Sequence, residues 1–215
     1  MTNPIAKSYG LAIHAVSPEL GLAMGNIEGQ SRAQTWVLGR SLSSLLHPYL
    51  AEFLVPQTWS DIAFVAVAKG PGSFTSTRLG MVTARTLAAQ LKIPVFAIST
   101  LAAAAHAEAK ADRDLHQSPD IALQMQAARE KLFTAIYRCS PENGEPVALQ
   151  LDTVQTPHQW QQTLETWQTP YRLVQTPTHL GTFVTSVLEL AYLDWIRGKR
   201  PDWSEALPFY GQQPV

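Results

Sequence analysis

The residues with most chemical potential lie in one stretch, residues 61–101, which reads DIAFVAVAKGPGSFTSTRLGMVTARTLAAQLKIPVFAISTL. An apolar run over residues 62–68 stops at Gly70-Pro71-Gly72. A helical pattern begins near residues 73–75 and continues to about Leu91. Pro94 opens a second apolar run, residues 95–98, and Ser99 is placed to cap another helix. The order is strand, turn, helix, parallel strand. Glycines at such a turn let the backbone take a positive φ or approach a group closely. The helix N-terminus behind them offers unpaired N–H groups. That geometry either cradles an anion or makes a tight packing corner. The stretch lacks the Gly-Lys-Ser/Thr of a P-loop, and Thr75 stands at the third glycine position of a Gly-x-Gly-x-x-Gly pattern. Spacing therefore favours a packing corner, with Ser73 or Thr75 capping the helix.

Other candidates are weaker. His14 lies near the end of the first strand pattern, where a nucleotide-binding fold of this order would carry an aspartate. Neutral imidazole is a poor ligand for a hard cation such as Mg²⁺, so His14 reads as a hydrogen-bonded, partly buried residue. His47, His106, His116, His158 and His179 are scattered, with no pair at helical metal-binding spacing. Arg129-Glu130-Lys131 is a charge cluster best read as a turn before a strand. Cys139 lies in an apolar run and reads as a packed core thiol rather than a nucleophile.

The elements that position these residues follow from periodicity. Residues 9–16, 20–27 and 33–38 read as three short strands joined by turns, an antiparallel meander. Leu42, Leu45, Leu46, Tyr49, Leu50 and Phe53 make one face of a helix, with Pro48 inside it suggesting a kink or a shortened first turn. In the helix after the glycine turn, Leu79, Val82, Thr83, Thr86, Leu87 and Gln90 are expected to face the sheet. Arg78, Met81 and Arg85 lie opposite, either a solvated face or an interface, since Met and Arg are enriched where proteins meet. A further helix follows over residues 100–111. The order β-β-β-α-β-α-β-α predicts a mixed five-stranded sheet of the ribonuclease-H-like, actin-like ATPase type. After a polar break at residues 113–119 come two strands, a turn at residues 141–144, a third strand, a helix from Pro157, a short strand at residues 171–174 and a helix over residues 178–196. The expected organisation is an N-terminal lobe, residues 1–112, and a smaller α/β lobe, residues 113–215.

Bulk composition narrows the function classes. The chain has 215 residues, one cysteine and a net charge of −1. An internal disulfide and cysteine-built zinc sites are excluded, and so is the basic balance of a stand-alone nucleic-acid binder. Charged residues are only 15%, which fits either a surface covered by a partner or one rich in neutral polar residues. The start of the chain lacks a signal-peptide pattern and no apolar run approaches a membrane span, so a cytoplasmic, membrane-free protein is expected.

Gly70-Pro71-Gly72-Ser73-Phe74-Thr75, Arg78-Leu79-Gly80, Ile93-Pro94-Val95 and Ser99-Thr100-Leu101, with Leu207-Pro208-Phe209-Tyr210 near the end, carry a resemblance. They are similar to the bacterial TsaB family, also called YeaZ, which takes part in making threonylcarbamoyladenosine on tRNA. The chain departs from the family pattern at four places. His14 replaces the aspartate of Ile-Asp-Thr-Ser, and Ser76 replaces a glycine. Gln126-Ala127-Ala128-Arg129 stands for Asp-Ala-Arg, and Gln212 stands for an arginine.

The resemblance implies a non-catalytic subunit of actin-like fold, without cofactor or metal. Its partners would be a TsaD-like catalytic subunit and a TsaE-like ATPase. It would self-pair when alone and meet tRNA only through the complex. Candidate interface residues are then Leu42, Leu45, Leu46, Tyr49, Phe74, Thr75, Arg78, Met81, Val82 and Arg85. A stand-alone actin-like ATPase or kinase is the alternative, requiring Mg-ATP at the first hairpin. A peptidase would need a nucleophile or a metal set, and the sequence offers neither.

Overall fold

The structure is a computed structural model and describes residues 8–111 and 119–211. The first sheet has strand order β3-β2-β1-β4-β5, with β1 Tyr9–His14, β2 Glu19–Asn26, β3 Ser31–Val37, β4 Ile62–Ala68 and β5 Val95–Ile98. β1 to β3 pair antiparallel; β4 and β5 join parallel, with Ala12 opposite both Ala23 and Ala66. This is the mixed order expected from the sequence. Every residue of β4 is buried, because helices cover both faces of the sheet.

Alternation along β1 divides the core. Leu11, Ile13 and Ala15 face α1 (Leu42–Leu54) and α2 (Phe74–Leu91). Ala12 and Val16 face α3 (Thr100–Ala111) and α5 (Val184–Ile196). The second sheet has order β8-β7-β6-β9, built from β6 Asp120–Gln126, β7 Leu132–Cys139, β8 Pro146–Gln155 and β9 Tyr171–Gln175. Its outer face is partly covered by α4 (Pro157–Glu165), which buries Trp160 against Ala122 and Ile136. Cys139 is buried, its thiol pushed up to about 11 by burial.

Three local expectations need correction. Pro48 lies inside a continuous α1, well past its first turn, so it does not shorten that turn. It sits on the exposed side, where the carbonyl it cannot bond remains open to water. The last helix begins at Val184 rather than residue 178. Gly181 is drawn into a 3-10 turn by its N–H bond to the Glu19 carboxylate at 2.8 Å, and His179 also contacts Glu19. Ser73 is the residue at the start of α2, but its side chain makes no capping bond.

The polar break at residues 113–119, His116 and Gln212 lie outside the described residues, save Pro119. α5, though late in the chain, packs on β1, β2 and β4 of the first sheet. No described helix is long and apolar enough to cross a membrane.

Candidate functional site

The Gly70–Gly72 corner is filled by protein. Gly70 has φ +97°, a conformation that favours glycine, and a Cβ there would lie 2.5 Å from the Phe209 carbonyl oxygen. A Cβ on Gly72 would overlap the Val16 carbonyl oxygen. Gly70 O accepts from Thr100 N–H at 2.9 Å, and Lys69 O accepts from Phe209 N–H at 2.7 Å. Carbonyl oxygens thus occupy the space where a phosphate would need donors. At the two glycines the arrangement is a packing corner that aims α2 and docks the C-terminal tail.

The corner sets the phase of α2. Its buried stripe is Thr77, Gly80, Met81, Ala84 and Ala88, at helical spacing, with Thr83 beside it. A Cβ on Gly80 would stand 3.1 Å from Ala15 Cβ, so the helix rides close on β1. Small residues and Met81, not Val82, face the sheet. Hence Met81 is a core residue, 2% exposed, and Val82 is 53% exposed. The expected pairing of Met81 with Arg78 and Arg85 on one open face is therefore wrong, as is the expected sheet-facing role of Val82, Thr86 and Gln90. The open stripe is Thr75, Arg78, Val82, Thr86 and Gln90.

The remaining interface candidates divide similarly. Leu42 and Leu46 belong to the core. Leu45 and Tyr49 are half-buried, with the Tyr49 ring 4.8 Å from that of Trp36. The Arg85 guanidinium lies 5.3 Å over the Trp203 ring, engaged with the tail. Phe74 packs on Tyr210 with ring centroids 4.4 Å apart. Thr83 Oγ1 and His47 Nε2 approach to 3.5 Å, so α1 and α2 lie side by side. Exposed residues on the two helices include His47, Pro48 and Ala51 on α1 and Thr75, Arg78 and Val82 on α2.

His14 is fully buried rather than partly, and neither ring nitrogen has a hydrogen-bond partner. Burial holds its imidazole down to about 3, so the ring is neutral. Among the described residues no three His, Cys, Asp or Glu side chains gather as a metal site.

Two polar clusters were not legible beforehand. Ser99 does cap α3, accepting from Leu101 and Ala102 N–H at 3.1 Å each. It also donates to Asp152 at 2.5 Å, and Tyr137 donates to the same carboxylate at 2.6 Å. Burial raises the Asp152 carboxyl despite these donors and nearby Lys69. This cluster ties β8 and β7 to the end of β5. A second cluster joins α3 to α5: His106 Nε2 meets Glu189 at 2.8 Å, Lys110 donates to Glu189 at 2.7 Å, and His106 Nδ1 meets Gly144 O at 2.9 Å. Burial would raise Glu189, but His106 and Lys110 outweigh it and hold the carboxyl below its ordinary range. Ser99 as a cap was readable locally; its partner 53 residues away was not.

Comparison with known proteins agrees with the fold. Residues 40–176 match a family model described as TsaD: tRNA N6-adenosine threonylcarbamoyltransferase. A Bacillus subtilis relative named tRNA threonylcarbamoyladenosine biosynthesis protein TsaB is 37% identical over 78 residues, 36% of this chain and 31% of that relative. A Buchnera aphidicola protein of the same name is 50% identical over 44 residues, 20% of this chain and 21% of its own length. The chain thus spans about a third or less of the curated relatives it matches. The solved structure of YeaZ from Pseudomonas aeruginosa has a TM-score of 0.75 at 21% identity, covering 94% of this chain and 99% of its own. Another Pseudomonas aeruginosa structure, of an uncharacterized protein with similarity to peptidase YEAZ, gives 0.77 at 22% identity, covering 95% and 100%. At these identities the structural likeness is one of fold.

Proposed function

The chain belongs to the TsaB/YeaZ family, and from that premise we propose that it is a non-catalytic partner of a TsaD-like subunit in forming threonylcarbamoyladenosine on tRNA. The observation that carries this reading is the α1–α2 surface. An exposed valine, Val82, sits beside Arg78 on a helix whose other side is anchored through Met81, Ala84 and Ala88. A helix anchored by small residues on one side, with an exposed valine beside an arginine on the other, suits helix-to-helix pairing with a second subunit. When the partner is missing, the same surface pairs two copies of this chain. A TsaE-like ATPase joins the assembled pair, and tRNA is met through the complex.

The stand-alone kinase reading has less support. The glycine corner faces carbonyl oxygens of Val16 and Phe209, and His14 is a neutral, enclosed ring where that chemistry would need a carboxylate.

The test is co-purification of the full chain with the TsaD-like protein of the same cell, combined with titration of Mg-ATP into the isolated chain. A one-to-one complex lost in Val82→Glu is expected. Absence of a complex, together with intact threonylcarbamoyladenosine in cells lacking the chain, refutes the proposal. Saturable Mg-ATP binding would favour the kinase reading.

A further inference from the structure

His106 of α3 is held between two hydrogen-bond acceptors, with its ring buried. Nδ1 lies 2.9 Å from the Gly144 carbonyl oxygen in the turn between β7 and β8. Nε2 lies 2.8 Å from a carboxylate oxygen of Glu189 on α5. A neutral imidazole has one N–H and one lone pair. It would serve one of these oxygens and set its lone pair against the other. Turning the ring over would put C–H groups against both and leave both without a donor. Gly144 is buried, and a buried carbonyl left unserved is costly. The contact is also close by construction: Gly144 has φ +70°, and a Cβ on it would lie 3.3 Å from Nδ1.

Two arrangements put a proton in each contact: a charged ring beside a carboxylate, or a neutral ring beside a protonated Glu189. Lys110 decides between them. Its ammonium donates to the second Glu189 oxygen at 2.7 Å, which favours the ionised carboxylate. Burial would raise the Glu189 carboxyl, but His106 and Lys110 outweigh it. The other elements around the cluster bring no competing charge. Glu145, next to Gly144, is paired with Arg197. The Cys139 thiol of β7 donates to Ala105 O at 3.7 Å. A cavity of about 310 Å³ beside the cluster is otherwise lined by uncharged residues, among them Asn26, Gln30, Asn143 and Tyr192.

The two contacts are unequal. A carboxylate holds a donor more strongly than a carbonyl oxygen does. When the ring gives one proton to water, the proton kept is therefore the one on Nε2, and Nδ1 loses its own. A lone pair then faces Gly144 O, and the turn loses its tie to α3. We infer that His106 is a proton-operated clasp: as an imidazolium it fastens the β7–β8 turn to α3 and α5, and once Nδ1 is deprotonated it lets the turn go. The turn is otherwise closed only on itself, by Gly144 N–H to Ser140 O at 2.8 Å and Ser140 N–H to Glu145 O at 2.9 Å, so it can move as a unit. The clasp does not depend on the partner reading, which rests on Arg78 and Val82 of α2.

The test uses nitrogen-15 magnetic resonance of the full chain with labelled histidine and backbone. At about pH 7 both ring nitrogens of His106 should carry protons, with the exposed ring of His158 as the free reference. Raising the pH should remove the Nδ1 proton, keep the Nε2 proton and shift the backbone amides of residues 142–145 in the same transition. Glu189→Gln puts an amide that can donate to Nε2 in place of the carboxylate. Its His106 should carry one proton, on Nδ1, at about pH 7, and its turn amides should no longer follow pH. The clasp is overturned by an unprotonated His106 nitrogen in the wild type at that pH, or by two ring protons kept until the chain unfolds. It is also overturned by turn amides that stay fixed while the ring titrates, or by two ring protons in Glu189→Gln. The wild-type spectra alone decide if the variant does not fold.

Discussion

The Phe209 carbonyl oxygen lies 2.5 Å from where a Cβ on Gly70 would stand, while Phe209 N–H bonds Lys69 O at 2.7 Å. The tail is thus locked to the corner that launches α2. Gly70→Ala must strain a left-handed backbone and push the tail away. The expected loss is about 1–3 kcal/mol, read as a lower urea midpoint at unchanged slope.

Met81 and Val82 are adjacent in sequence and opposite in consequence. Met81→Ala should cost about 2–5 kcal/mol by opening a core cavity, and Met81→Glu should prevent stable folding. Val82→Glu should leave the denaturation midpoint within about 0.5 kcal/mol of wild type and abolish pairing with the TsaD-like subunit. Size-exclusion chromatography of the mixture checks the second outcome. Full retention of pairing would remove this stripe as the interface.

His14 gives a signed pH dependence. Its folded value is near 3 against 6.5 for the free side chain. Between these the unfolded chain takes up a proton that the folded chain refuses, so stability falls as pH drops through the window. The contribution is up to about 1.4 kcal/mol per pH unit. His14→Leu should show a shallower fall in unfolding free energy between about pH 6 and pH 4. Equal slopes for the two proteins would contradict the buried neutral ring.

Ser99 links helix capping to lobe contact. Ser99→Ala removes the cap of α3 and one donor to half-buried Asp152, with an expected loss of about 1–3 kcal/mol. A double-mutant cycle with Asp152→Asn should show coupling of at least about 0.5 kcal/mol. Additive losses would mean that the two side chains act separately.

Strand order, the glycine corner and the extent of α2 were legible because each depends on local periodicity and turn chemistry. The phase of α2 was not. Hydrophobicity points Leu79, Val82 and Leu87 inward, but Gly80, Ala84 and Ala88 let the backbone come closer to β1, so that Leu79 and Leu87 pack at the core's edge and Val82 is turned out. His14 was recognisable as a misfit at its position, yet its lack of any partner depends on a surrounding face built by distant elements. Asp152 carried no local signal, since it acquires its setting only when the lobes meet.

The placement of α5 also bears on how the chain is made. One face of the first sheet, with Ala12, Ala23, Ala66 and Ala68, is sealed partly by Val184, Val187 and Ala191 from near the chain's end. During synthesis that apolar face stays unsealed until α5 has left the ribosome. A nascent or truncated chain ending before α5 would carry an aggregation-prone surface, so the first sheet depends on a helix that follows the second sheet in sequence.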